Sequence, residues 1–259
     1  MNKVGEVGEK NYNYQGYLME IIRYQNSGDI DIKFEDGSVY THCNYTFFRN
    51  GKIKNKNHPT VYGVGYFGYG DHKSSINKVQ TKEYSAWQCM IGRCYSDKFQ
   101  QRRSSYEGCS VSPEWYNFQN FAEWFKKNKW TDEILQVDKD ILYKGNKIYS
   151  PETCILVDTR INNMFRKPNN KIKENENLPY GVKKTSGCTN CHYYAQLKKH
   201  REKSEYLGSH NTIEEAFYAY KTAKESYIKQ VADEYKDKYL NFPQKLYNAM
   251  YNWKVEITD

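Results

Sequence analysis

No stretch of this 259-residue chain is apolar for long enough to cross a bilayer, and its opening residues, MNKVGEVGEK, lack the apolar centre of a secretory signal. Both absences point to a soluble protein of the cytoplasm. Its cysteines are seven, an odd number unevenly spread as Cys43, Cys89, Cys94, Cys109, Cys154, Cys188 and Cys191, so reduced thiols are expected rather than a disulfide framework. No segment recurs at a fixed period, which excludes a solenoid or propeller. Histidine is missing between His72 and His192, so no imidazole base is available in the middle of the chain.

What the chain does carry is positive charge and tyrosine. Lysine and arginine number 39 against 31 acidic residues, a formal net charge of +8 with a sequence pI near 8.9, so polyanions are the expected partners. Hydrophobic residues make up only 38%, yet 26 tyrosines lift the aromatic share to 16%. A tyrosine ring fills a core while its hydroxyl finds a hydrogen bond, so cores and contact surfaces can both be built from this composition. The length allows about one to three domains.

The expected class is α+β in three parts. Residues 1–75 read as all-β: DIDIKFEDGSVY alternates Ile30, Ile32 and Phe34 with charged neighbours and turns at Asp36–Gly37, with GYLMEIIRY before it and PTVYGVGYFGYG after it as further strands. A small β-barrel of about five strands is expected, with a protein partner as one possible role. The polar stretch DHKSSINKVQTK then leads to residues 82–167. Here Trp87, Met90, Ile91 and Cys94 fall at helical offsets, and SPEWYNFQNFAEWFKK starts with an N-cap serine and a proline at the first helical position. Trp115, Phe118, Phe121, Ala122 and Phe125 make its apolar stripe. After the exposed connector RKPNNKIKENENLP come residues 176–259, with three short strands, a helix opened by the capping-box spacing of Thr212 and Glu215, and a last short helix and terminal strand.

Strand periodicity divides the middle strand of that last unit. In HYYAQLKKH, Tyr193, Ala195 and Leu197 point to the helix, whose buried stripe is Ala216, Phe217, Tyr220, Ala223, Tyr227 and Val231; Tyr194, Gln196 and Lys198 point away. Lys183 and Thr185 from the first strand, with Ser204 and Tyr206 from the third, extend the outer row. Such a face either lies solvated or enters a major groove, where cations, donors and rings reach phosphates and base edges.

The segments YGV, YYAQL and YLGSHNTIEEAFYAY resemble the apetala-type (ethylene-response-factor) DNA-binding domain over roughly residues 178 to 232. The resemblance implies duplex DNA binding through the outer face of the sheet, with Lys183, Gln196, Lys198 and Tyr206 at the contact positions and Tyr194 beside them. Thr185 and Ser204 stand where that family usually has arginine. The turn between the first two strands holds Cys188 and Cys191, only half the ligands of a structural zinc site, so zinc is not expected.

The middle unit resembles a divergent HNH-type module of phage and mobile-element proteins over about residues 84 to 165, on Trp-x-x-Met-x-x-Arg-Cys at its front and VDK and YSPETC further on. Modules of this kind often accompany apetala-type domains in homing endonucleases, and the resemblance implies metal-dependent phosphodiester cleavage, with magnesium or manganese as the ion. Asp138 stands where a metal ligand is expected and Lys139 where the catalytic histidine usually stands. Asp140, Asn146, Asn162 and Asn163 are further candidates, with Asp138 and Asn162 as the metal pair. Lysine can stabilise charge on a phosphate but is a poor general base. Cys94, Cys109 and Cys154 recur at fixed points of the resemblance, either as small apolar core residues or as a metal cluster. The expected function is sequence-preferring binding of double-stranded DNA by a homing-endonuclease-like protein; the alternative is a non-catalytic DNA-binding or regulatory protein of the same architecture.

Overall fold

The computed structural model describes residues 5–166, 178–185 and 192–258. The first strands are β1 (Lys10–Tyr12), β2 (Leu18–Asn26), β3 (Asp29–Phe34) and β4 (Val39–Cys43), antiparallel neighbours in chain order, followed by the short helix α1 (Tyr45–Arg49). Alternation works as the sequence predicts: Ile30, Ile32 and Phe34 are at most 1% exposed and pack with Met19 and Ile21 of β2. The β3–β4 turn is held by Ser38, whose backbone N–H donates to Asp36 Oδ1 at 2.9 Å.

This sheet is open, and the expected barrel is not formed. The segment expected to supply a fifth strand goes elsewhere. Val61, Val64 and Phe67 pack on the core of the middle unit, and Tyr66 bridges to Asn117. The Tyr66 N–H donates to the Tyr116 carbonyl and its own carbonyl accepts from Phe118 N–H, both at 2.9 Å. Gly68 makes the approach possible, since it has φ +75° and any Cβ there would lie 2.0 Å from Asn117 Oδ1.

The polar link contains the two-residue strands β5 (Ser75–Ile76) and β6 (Val79–Gln80), and Thr81 caps α2 (Lys82–Tyr95). Then follow α3 (Asp97–Arg102), β7 (Ser110–Val111), α4 (Phe118–Asn128), β8 (Gln136–Asp138), β9 (Ile148–Tyr149), β10 (Ile155–Val157) and α5 (Thr159–Phe165). Strand β7 pairs in parallel with β9, and β8 antiparallel with β10. The apolar stripes are buried as expected, but the helix opened by Pro113 is split. Pro113–Tyr116 is a 3-10 turn, and α4 begins afresh at an Asn117 cap, because the backbone of residues 116–118 is engaged by Tyr66.

The last unit has β11 (Val182–Lys184), β12 (Tyr193–Lys198) and β13 (Ser204–His210) in an antiparallel sheet of order β11–β12–β13. It is covered by α6 (Ile213–Lys238), whose start is the capping box of Thr212 and Glu215, and α7 (Gln244–Tyr251) follows. Among the described residues the terminal strand expected after α7 does not form. Side chains of α6 take its backbone groups instead: Val255 N–H donates to Glu225 Oε1 at 2.9 Å, and Lys221 Nζ donates to the Val255 carbonyl.

Two hydrophobic clusters result, one under the N-terminal sheet and one running continuously from Trp87 to Val255 through the middle and C-terminal units. Trp130 shows the junction: its ring meets Tyr235, Tyr239 and Phe242 edge-on at 5.0–6.1 Å, and its Nε1–H donates to the Leu156 carbonyl of β10. Among the described residues no helix is long and apolar enough to cross a membrane.

Candidate nucleic-acid interface

Strand β12 fixes both faces of the C-terminal sheet. Ala195 and Leu197, 0% and 2% exposed, lie with Val182 against α6, as alternation requires. The register puts Lys183 opposite Tyr194, Gln196 opposite Tyr206 and Lys198 opposite Ser204, so six side chains expected in the outer row do share one face. Tyr206 is 63% exposed and its ring centroid lies 6.2 Å from that of Tyr194.

A register shift between Tyr194 and Gln196, opposite Gly208 at φ +108°, alters the third strand. It brings Ser209, three residues after Tyr206, onto the same face, where the two hydroxyls are 2.6 Å apart. Strict alternation missed Ser209, although a glycine inside a strand is the signal of such a bulge. Thr185 is less available than expected: it is half-buried, its backbone N–H donates to the His192 carbonyl at 2.9 Å, and its hydroxyl has no partner.

Charge is distributed unequally between the two faces. Lys183 and Lys198 are exposed and share the outer face with hydroxyls, an amide and rings, with no carboxylate among the described outer residues. Lys199, one position on, is turned to the other side, where it pairs with Glu205 at 2.8 Å and lies over the Tyr227 ring. The Cys188–Cys191 pair and most of the connector before Leu178 lie outside the described residues.

The candidate catalytic residues come together in the loop leaving β8. Asp138 Oδ1 accepts from the backbone N–H groups of Asp140 and Ile141, both at 2.8 Å. Burial pushes its carboxyl above the ordinary range, opposed by those two hydrogen bonds. Lys139 is only 5% exposed; its ammonium donates to both Asp140 oxygens at 2.8 Å and to the Asn146 carbonyl. The Asn146 amide donates in turn to the carbonyls of Lys139 at 3.0 Å and Ile148 at 2.7 Å. Each of the four therefore holds the loop closed. Asn162 on α5 donates to Gln136 Oε1 rather than joining Asp138, and Asn163 is exposed.

Cys94, Cys109 and Cys154 are buried free thiols in the large core. Burial raises Cys94 and Cys154 to about 12, so both are neutral at ordinary pH and pack as small apolar groups. Among the described residues the grouping that brings three metal-capable side chains together is elsewhere, at Asp29, Asp31 and His42 of the N-terminal sheet. Arg23 already bridges the two carboxylates there, at 2.6 Å to Asp29 and 2.8 Å to Asp31, and offsets half of their combined charge.

The middle unit and the sheet are tied by α6. Asp158 caps α5 by accepting from Ile161 N–H at 2.8 Å, and also accepts the hydroxyl of Tyr235. Beside it Arg160 makes a two-point pair with Glu234 at 2.6 and 3.0 Å. Sequence periodicity carries no sign of this contact, because it joins residues more than 70 positions apart. Compared with protein-family models, curated proteins and solved structures, the chain gives no match.

Proposed function

We propose that this chain binds double-stranded DNA through the outer face of the β11–β12–β13 sheet. The observation that carries the proposal is the composition of that face: Lys183 and Lys198 flank Gln196 and the Tyr194–Tyr206 pair, and the acidic Glu205 is turned away onto Lys199. A three-stranded sheet of this width fits a major groove, with lysines set for phosphates and the glutamine amide able to pair with a base edge. Gel-shift or anisotropy titration with duplex DNA at several salt concentrations tests it. Salt-dependent binding lost on removing the outer lysines is expected; wild-type protein that binds no duplex would refute it.

The middle unit acts, in this proposal, as a rigid support that does not cleave. Lys139 occupies the position of a water-activating base but is buried in a two-point pair with Asp140, and Asp138 accepts from its own loop. Cleavage remains the second reading, favoured by the gathering of Asp138, Lys139, Asp140 and Asn146 in one loop. It would require magnesium or manganese at Asp138, with Asn162 released from Gln136 before it could join as a ligand, and the ion would activate water in place of a histidine.

A further inference from the structure

We infer that the N-terminal unit carries a second nucleic-acid site, one suited to a single strand. No aspartate or glutamate occurs between Asp36 and Asp71, while Arg49, Lys52, Lys54 and Lys56 all fall within that stretch. Exposure alternates through Lys52, Ile53, Lys54 and Asn55: the two lysines are exposed, whereas Ile53 and Asn55 are 5% and 2% exposed. Ile53 and Asn55 are thus turned into the unit and both lysines into solvent.

Hydrogen bonds sew this basic segment to the N-terminal strand. Asn11 Nδ2 donates to the carbonyls of Phe48 and Arg49 at 2.9 Å, Tyr14 N–H donates to the Gly51 carbonyl at 2.9 Å, and Asn13 Nδ2 donates to the Ile53 carbonyl at 3.0 Å, while Lys52 N–H turns back to the Phe47 carbonyl of α1 at 2.8 Å. Gly51, at φ +63°, lets the chains touch, since a Cβ would lie 2.8 Å from the Tyr12 carbonyl oxygen. Three rings along this seam are left in solvent: Phe47 is 55% exposed, Tyr12 63% and Tyr14 80%. The neighbouring Tyr45 and Phe48 are buried, so the core of α1 is complete without them.

Arg49, Lys52 and Lys54 have no carboxylate partner among the described residues. Lys56 differs, being held over the Tyr40 and Tyr69 rings at 5.1 and 5.4 Å. Unpaired cations beside exposed rings match a single strand of nucleic acid: phosphates meet the cations, and unstacked bases lie on the rings. A duplex offers no free base faces, and an acidic protein would leave the rings unexplained. The site is independent of the C-terminal sheet and of the function proposed for it.

Fluorescence anisotropy of labelled oligo(dT) with the full chain tests the inference, using Lys52→Gln/Lys54→Gln for charge and Tyr14→Ala/Phe47→Ala for stacking. Each pair is expected to weaken binding at least tenfold, and the charge pair to flatten the log affinity–log salt slope by about 1.4. All four side chains are exposed, so both proteins should melt with the wild type. The inference fails if wild-type protein does not bind oligo(dT) at low salt. It fails equally if either pair stays within about twofold of wild type, because a plain cationic patch would tolerate loss of the rings.

Discussion

The hydroxyl of Tyr235, in the C-terminal helix α6, donates to Asp158, the residue that caps α5 of the middle unit. Asp158 is 6% exposed and Tyr235 5%, so this bond sits inside the shared core and helps make the two units one mechanical body. Removing the hydroxyl leaves a buried carboxylate oxygen short of a donor. Tyr235→Phe should therefore destabilise by about 1–3 kcal/mol in chemical denaturation, although the ring itself is kept. Middle and C-terminal units should still unfold in one transition; separate transitions for them would show that the junction is weak.

Leu197 and its neighbours test which way β12 faces. Leu197→Ala, at a position 2% exposed, should cost roughly 2–5 kcal/mol through the cavity it leaves. Gln196→Ala and Lys198→Ala should melt within about 0.5 kcal/mol of wild type and yet lose duplex affinity. The reverse order of thermal stabilities would place the strand one residue out of register.

The C-terminal sheet was legible because its information is local. Ala195 and Leu197 alternate with Gln196 and Lys198, and Thr212 and Glu215 announce the helix, so short-range periodicity is enough. The barrel was misjudged because Val61 to Phe67 satisfies the same alternation whichever partner it joins, and the partner turned out to be Asn117 in another unit. At the loop leaving β8, the four residues singled out from the sequence, Asp138, Lys139, Asp140 and Asn146, do meet, because they are close in the chain. Sequence spacing could not tell that the Lys139 ammonium is turned inward, since that depends on how Asp140 and the Asn146 carbonyl close around it.

Lys224 provides a pH test of the shared core. It is 9% exposed on the buried side of α6, has no ion pair among the described residues, and burial lowers its ammonium from 10.5 to about 8. Between about pH 8 and 10.5 the unfolded chain holds a proton that the folded one has released, so stability rises with pH across that window. Below it both states are charged and the full cost of burying the cation is present. Lys224→Met should thus be more stable than wild type near pH 7, by on the order of 2–3 kcal/mol, with the gap narrowing towards pH 10. A gap independent of pH would mean that the ammonium reaches solvent.

Substitution at Lys139 tests for cleavage. Wild-type protein with magnesium or manganese should bind plasmid DNA without nicking it, because the ammonium is already paired with Asp140. Lys139→His supplies an imidazole at that position, and nicking by this variant alone would mark a nuclease that has lost its base. Nicking by wild type that disappears in Asp138→Ala, with DNA binding retained, would instead establish the metal-dependent second reading.

The most direct measurement is duplex affinity against salt for wild type and for Lys183→Ala/Lys198→Ala. If the outer face of the sheet meets phosphates through these two lysines, log affinity falls linearly with log salt. The double variant should bind more weakly, with a slope flatter by about 1.8. Wild-type and variant lines that coincide, or an affinity indifferent to salt between about 50 and 200 mM, would contradict DNA binding by this face.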